Sequence, residues 1–275
     1  MYFSLGLTGY PLSHSLSPRL HTAALRAGGL DGDYRLYPAQ TPADLQELVT
    51  RLRDGELHGL NVTIPHKETV IPLLDELTPT AQAIGAVNTI YKVEDTLIGD
   101  NTDASGFWAD ALKRLKVGTF EPKNALILGA GGAARAVAYA LLQHGWHLTI
   151  AARRPLQAKS LIADLKESLP HANLRFMQYS LLNPHHSSLL INCTPVGIHP
   201  HANESPWPEN LDFPPKAAVY DLVYNPRETR LVSEARAAGL PAVTGLGMLI
   251  KQAALAFQRW TGQEVNREVM WGAVE

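Results

Sequence analysis

The 275 residues are 45% hydrophobic and 18% charged, an ordinary globular balance with apolar material for one large or two medium domains. A net charge of −2 argues against nucleic acid or an anionic membrane as partner, and no uninterrupted apolar segment is long enough to span a bilayer. The single cysteine, Cys193, excludes an intramolecular disulfide framework and fits a reducing cytoplasm.

The start, Met1–Gly6, lacks the charged opening of a signal peptide and reads as the approach to a first strand at Leu5–Thr8. Ser17-Pro18 reads as an N-cap with proline at the first helical position, opening a helix to about Ala27 that Gly28-Gly29 stops. A strand at Asp33–Tyr37 follows, then a helix from Thr41-Pro42 to near Gly55, and a strand at Leu57–Ile64 cut by Pro65. Thr78-Pro79 opens a short helix to Ile84, and Val87–Val93 returns as a strand. This alternation implies a mostly parallel sheet. A helix runs from Asp103 to about Lys116. Further strands are expected at Leu189–Cys193, Ala218–Leu222 and Ala242–Val243, and further helices at Glu228–Ala238, Met248–Trp260 and Glu264–Trp271. Cys193 itself is best read as a small buried apolar residue. Of the histidines, His185-His186 and His199/His201 lie in loop sequence without a Cys partner or a helical His-x-x-x-His pair, so no metal is expected.

Between Lys116 and the last strands lies the most informative run, Ala125-Leu126-Ile127-Leu128-Gly129-Ala130-Gly131-Gly132-Ala133-Ala134. A strand enters a glycine-rich turn, and a small-residue helix, Ala136–Leu142, follows: the dinucleotide fingerprint in its proper setting. Gly129 permits the tight turn, Gly131 lets a pyrophosphate approach the backbone, and Ala134 lets helix and strand pack closely. Free N–H groups at the helix start then face the phosphates. The next strand, Trp146–Ala152, does not end in the acid that holds an NAD ribose; Arg153 and Arg154 follow, with Lys159 further on. Guanidinium groups match a 2′-phosphate, so NADP is favoured over NAD; two solvated arginines are the competing reading.

Three polar clusters lie where strands end. In Gly9–Pro18, hydroxyls before a helix suit a carboxylate, whereas a plain N-cap explains Ser17 and leaves Ser15 idle. In Asn61-Val62-Thr63-Ile64-Pro65-His66-Lys67-Glu68, Asn61 and Thr63 share a polar strand face fit for a polyhydroxylated ring, and Lys67 is either a proton-exchanging amine or a solvated charge. The third is Gly85-Ala86-Val87-Asn88-Thr89 with Gly99-Asp100-Asn101-Thr102-Asp103, where Asp103 has the alternative of an N-cap and Asn88 of a turn residue.

With Asn192–Gly197, Asp221–Pro226 and Gly245–Ala254, these blocks resemble the shikimate dehydrogenase family over nearly the whole chain. The resemblance implies an α/β fold of two domains. Residues 1–103 and 243–275 would form a substrate domain with a mostly parallel sheet, completed by returning C-terminal helices, and residues 104–242 a Rossmann-type NADP domain. The nucleotide would lie at the cleft between them. It further implies NADPH-dependent, reversible reduction of 3-dehydroshikimate to shikimate on the route to chorismate and the aromatic amino acids. Ser15 and Ser17 would bind the carboxylate, and Asn61, Thr63, Asn88, Asp103 and Gln252 the ring hydroxyls, with Tyr224 nearby. Lys67 and Asp103 would form the catalytic pair. Gly129, Ala130, Gly131, Gly132, Ala133, Arg153, Arg154, Leu222 and Gly245 would line the cofactor, with Thr194 and Met248 close to the nicotinamide. The expected protein is a cytoplasmic monomer or homodimer acting on a small molecule.

The sequence departs from the family where its common Asn-Arg-Thr is Ala152-Arg153-Arg154, so two contacts to the 2′-phosphate are missing or replaced. Ala104 stands where glycine is frequent, which matters little within a helix. The nearest rival is a relative acting on quinate, shikimate or an amino analogue, with NAD as its alternative cofactor; for quinate, room near Ser15 and Tyr224 decides. A silent nucleotide-binding module is the distant one, and has no need of Lys67 and Asp103 together.

Overall fold

In the computed structural model, which describes residues 1–275, the chain forms two units, Met1–Asp103 with Ile250–Glu275, and Ala104–Leu249. The strands of the first are β1 (Tyr2–Gly9), β2 (Asp31–Pro38), β3 (Gly59–Val62), β4 (Glu76–Leu77), β5 (Thr89–Val93) and β6 (Thr96–Asp100), in one sheet ordered β2-β1-β3-β5-β6-β4. β1 pairs parallel to β2 and β3, and β4 parallel to β6, while β3–β5 and β5–β6 are antiparallel. The registers Thr8↔Val62, Asn61↔Thr89 and Thr89↔Asp100 bring the carboxyl ends of β1, β3 and β6 and the amino end of β5 to one end of the sheet.

The helices of this unit are α1 (Ser17–Ala27), α2 (Pro42–Arg53) and α3 (Pro79–Ile84). α2 starts where the sequence dictates. Asp44 N–H donates to Thr41 Oγ1 at 3.2 Å and Thr41 N–H donates to Asp44 Oδ2 at 2.9 Å, a reciprocal cap that satisfies two otherwise orphan donors. Its buried residues Leu45, Leu48, Val49 and Leu52 form one helical stripe against Leu60, Val62, Ile90 and Leu97 of the sheet. α1 departs from expectation. Its N-cap is Leu16, without a side-chain cap, and Ser17 is the first helical residue.

The second unit holds α4 (Asp103–Leu115, from its second residue), β7 (Asn124–Leu128), α5 (Gly132–Leu142), β8 (His147–Ala152), α6 (Pro155–Ser168), β9 (Leu174–Gln178), β10 (Leu189–Asn192), β11 (Ala218–Asp221), α7 (Arg230–Ala237) and β12 (Ala242–Thr244). Its sheet is parallel throughout, in the order β12-β11-β10-β7-β8-β9. The chain crosses β7 between β9 and β10, so the strand order reverses at β7/β10, the place where such sheets take ligands. α5 begins at Gly132, four residues earlier than its alanine run suggests. β4, β6, α6 and β9 are additions to the elements expected from the sequence.

α8 (Leu246–Thr261) crosses the division after Leu249, and α9 (Arg267–Val274) packs against α1. Trp260 of α8 donates from Nε1 to the Ile90 carbonyl of β5 at 2.9 Å, tying the end of the chain to the first sheet.

His21 of α1 is fully buried, stacked on Tyr34 of β2 with centroids 4.4 Å apart and 5.2 Å from the Trp260 ring. Neither ring nitrogen has a hydrogen-bond partner. Burial holds its pKa down at about 3; Asn61 offsets part of this from outside hydrogen-bonding geometry. A depressed folded pKa makes this contribution to stability complete above pH ~6.5 and lost as pH falls toward ~3, on the order of 5 kcal/mol in all. His21→Phe keeps the stacking and removes the titration. Urea midpoints measured from pH 7 to pH 4 are expected to fall less steeply for the variant than for the wild type; parallel curves would show that His21 is not held neutral.

Candidate active site

At the shared end of the first sheet, a one-turn segment after β3 carries Lys67. The Val87 N–H donates to the Lys67 carbonyl at 2.7 Å, and the neighbouring His66 ring is bonded through Nε2 to the Ala39 carbonyl at 2.8 Å. The backbone is thus fixed on both sides. Lys67 Nζ donates to Asp103 Oδ2, and the two side chains are only 13% and 6% exposed. Asp103 opens α4, where unpaired N–H groups favour a carboxylate. Its own N–H donates to Asn101 Oδ1 at 3.1 Å, and the Asn101 amide donates to the Ala86 carbonyl at 2.8 Å.

Asn88 is the hub. Its Nδ2 lies 2.9 Å from Asp103 Oδ1, 2.9 Å from Thr102 Oγ1 and 3.2 Å from Gln252 Oε1. Two hydrogens serve three acceptors, so only two contacts hold at once. Asn88 Oδ1 accepts from the Thr102 N–H at 2.8 Å and from Thr89 Oγ1 at 3.0 Å. The structure therefore brings together Lys67, Asp103, Asn88, Asn61 and Gln252. It adds Thr89, Asn101 and Thr102, to which the sequence reading gives no role although all three lie in the blocks it singles out.

Ser15 and Ser17 lie after β1 at the same sheet end, joined by Ser17 N–H donating to Ser15 Oγ at 3.2 Å. The Ser15 hydroxyl thus accepts a backbone hydrogen bond. No hydrogen bond connects this pair to the Lys67 cluster. Thr63 is half-buried just past β3, and Tyr224 is half-buried in the second unit after β11. No three His, Cys, Asp or Glu side chains converge as a metal ion would require.

In the second unit, Gly129 ends β7 at φ +104, a conformation that L side chains rarely adopt. The Gly129 N–H donates to the Ala151 carbonyl at 2.8 Å, pinning the turn to β8. Gly131, the N-cap of α5, has no side-chain cap, and a Cβ placed on it would meet nothing nearer than Gln157 Nε2 at 4.0 Å. Gly131, Gly132 and Ala133 are only half-buried, and no side chain caps the first N–H groups of α5, which suits an anion. Ala134 is fully buried under them. Arg153 and Arg154 directly follow β8; both are exposed, and neither pairs with a carboxylate. Beside the turn, Thr194 donates from Oγ1 to Asn192 Oδ1 at 2.7 Å, and Asn192 Nδ2 donates to Asp221 Oδ1 at 2.8 Å. Asp221 is fully buried, and desolvation pushes its pKa up to about 6 against the hydrogen bonds it accepts from Thr229, Val223 and Asn192. Cys193 is half-buried rather than wholly enclosed, yet burial of its thiol, with the Asp221 charge nearby, raises it well above the usual thiol range. Met248 lies in the first turn of α8, with its N–H bonded to the Tyr220 hydroxyl. Ala104 is helical and buried, so the methyl group is accommodated.

Two family descriptions match the chain: the shikimate dehydrogenase substrate binding domain over residues 7–90 and the shikimate 5'-dehydrogenase C-terminal domain over residues 245–275. A Salinibacter ruber protein named shikimate dehydrogenase (NADP(+)) is 44% identical over 273 residues, covering 98% of this chain and 95% of that protein. A shikimate dehydrogenase solved in complex with NADP+ is similar at 37% identity and a TM-score of 0.90, covering 99% of this chain and 94% of that one. Shikimate 5-dehydrogenase from Thermus thermophilus, solved in complex with NADP(H) and shikimate, is similar at 40% identity and a TM-score of 0.85, with 98% of both chains covered.

Proposed function

The chain belongs to the shikimate dehydrogenase family, and from that premise we propose that it catalyses the reversible NADPH-dependent reduction of 3-dehydroshikimate to shikimate, on the route to chorismate and the aromatic amino acids. The observation that carries the reading is the shielded Lys67–Asp103 pair, set among the amides of Asn61, Asn88 and Gln252.

The first unit is read as the substrate domain and the second as the NADP domain. The half-buried, uncapped start of α5, the room beside Gly131 and two unpaired guanidinium groups after β8 all fit a dinucleotide carrying an extra phosphate. Gly129, Ala130, Gly131, Gly132 and Ala133 would hold the pyrophosphate, Arg153 and Arg154 the 2′-phosphate, and Thr194, Leu222, Gly245 and Met248 the nicotinamide half. NADPH supplies the hydride when bound.

Reduction of the ketone leaves negative charge on its oxygen, and that charge must be met as it forms. Lys67 stands ready with a proton on Nζ. Asp103 holds the amine through Oδ2, and Asn88 holds Asp103 through Oδ1, so the donor does not have to be oriented during the reaction. Low exposure strengthens each of these interactions. In the oxidation direction Lys67 takes the proton from the substrate hydroxyl. Ser15 and Ser17 would bind the carboxylate, with Asn61, Thr63, Asn88, Asp103, Tyr224 and Gln252 on the hydroxyls. All of these groups come from one chain, so a monomer or a homodimer can do this chemistry. No helix is long and apolar enough to cross a membrane. The single cysteine supports a reducing, cytoplasmic setting.

A spectrophotometric screen at the nicotinamide band tests the reading by pairing shikimate and quinate with NADP and NAD. Shikimate with NADP is expected to turn over fastest. No turnover with shikimate, or a quinate–NAD pair in the lead, would overturn it.

A further inference from the structure

Tyr34 lies on β2, distant in sequence from every residue discussed so far in the reaction. It is 5% exposed and stacked flat on His21. Its hydroxyl donates to Asn61 Oδ1 at 2.8 Å. From there the hydrogen bonds run in one direction. Asn61 Nδ2 donates to Thr89 Oγ1 at 3.1 Å, Thr89 Oγ1 to Asn88 Oδ1 at 3.0 Å, and Asn88 Nδ2 to Asp103 Oδ1 at 2.9 Å. The series begins at a hydroxyl that gives its only hydrogen away and ends at a carboxylate that can only accept. Each bond polarises the next in the same sense.

Asn61 has little freedom within this series. One amide hydrogen goes to Thr89 and the other to the Asn88 carbonyl at 3.0 Å. Tyr34 takes one lone pair of Oδ1, and the other remains for a ligand hydroxyl. Without the Tyr34 hydroxyl, the oxygen of a buried amide loses its only protein donor and the amide can rock about its two remaining bonds.

We infer that Tyr34 is a positioning residue for the shikimate reaction: its hydroxyl heads a one-way relay of donors that fixes Asn61 toward a substrate hydroxyl and ends on the carboxylate holding Lys67. This rests on the function proposed above. Tyr34 is buried and its hydroxyl hydrogen is spent on Asn61, so its removal acts through Asn61.

Tyr34→Phe keeps the ring on His21 and removes one hydrogen bond. KM for shikimate is expected to rise roughly fivefold, with kcat within about threefold and KM for NADP unchanged. Asn61→Ala is expected to raise KM for shikimate at least as much, and the double variant to match Asn61→Ala alone. A thermal midpoint near that of the wild type separates positioning from loosened folding, and general loosening would raise both Michaelis constants together. Should Tyr34→Phe not be recovered folded, Tyr34→Met carries the same expectation in the same cycle. A wild-type KM for shikimate in the Tyr34 variant, or additive effects with Asn61→Ala, overturns the inference. A wild-type enzyme inactive on shikimate would instead sink the reading on which it rests.

Discussion

Lys67→Ala is expected to lower kcat on the order of a hundredfold or more while changing KM little, because the proton it gives is needed only as charge develops on the ketone oxygen. The rival reading of the same geometry is a structural ion pair. Breaking a buried pair leaves an uncompensated charge and destabilises a protein by roughly 3–5 kcal/mol. Here Asp103 keeps other support after the loss of the amine: the Asn88 amide on Oδ1 and the amino end of α4. The variant is therefore expected to fold, with a modest drop in thermal midpoint. Asp103→Asn keeps the shape of the acceptor and removes its charge, and is expected to lower kcat as well. Since the two groups act as one unit, the double variant should be scarcely worse than the poorer single one. A folded Lys67→Ala enzyme with wild-type kcat would end the proposed role.

The second large effect concerns the cofactor. In Arg153→Ala/Arg154→Ala, kcat/KM with NADPH is expected to fall on the order of a hundredfold, from two charge-assisted contacts at about 1.5–3 kcal/mol each, discounted for exposure. Efficiency with NADH should change less than about threefold, because a ribose hydroxyl offers no dianion to meet. The structure favours this outcome in two ways. Both arginines directly follow β8, whose residue Ala151 accepts the Gly129 N–H, and no carboxylate competes for either guanidinium. Ala152→Asp should act in the same direction by placing a negative charge where the 2′-phosphate is proposed to bind. Equal losses with NADPH and NADH would show that the arginines support the fold rather than the choice of cofactor.

The fingerprint at Gly129–Ala134 is legible because its physics is local: strand, positive-φ glycine, capless helix start. Lys67, Asn88 and Asp103 are legible as polar residues at strand ends, though a resemblance is needed to join them. The hairpin of β5 and β6 escapes a sequence reading because its turn contains no glycine; Glu94 takes the positive φ of 53° instead. β9 is an edge strand with one fully buried residue, Leu174, so its apolar alternation is weak. α6 leaves Leu156 82% exposed, which blurs its stripe. Tyr34 gives no signal at all. Its role depends on β2 and β3 flanking β1, a pairing that no local pattern announces. Ser17 reads as an N-cap because Ser-Pro usually begins a helix that way, whereas the helix here starts one residue earlier, behind Leu16.

The first unit takes its last segment, Ile250–Glu275, from beyond the whole second unit, and Trp260 and α9 seal it. On the ribosome the order of completion is therefore inverted. The contiguous second unit can close while translation continues, whereas the first unit, begun earlier, must wait until Ile250–Glu275 has been made. Termination soon after Leu249 would thus release a chain with a complete second unit and an unfinished first one.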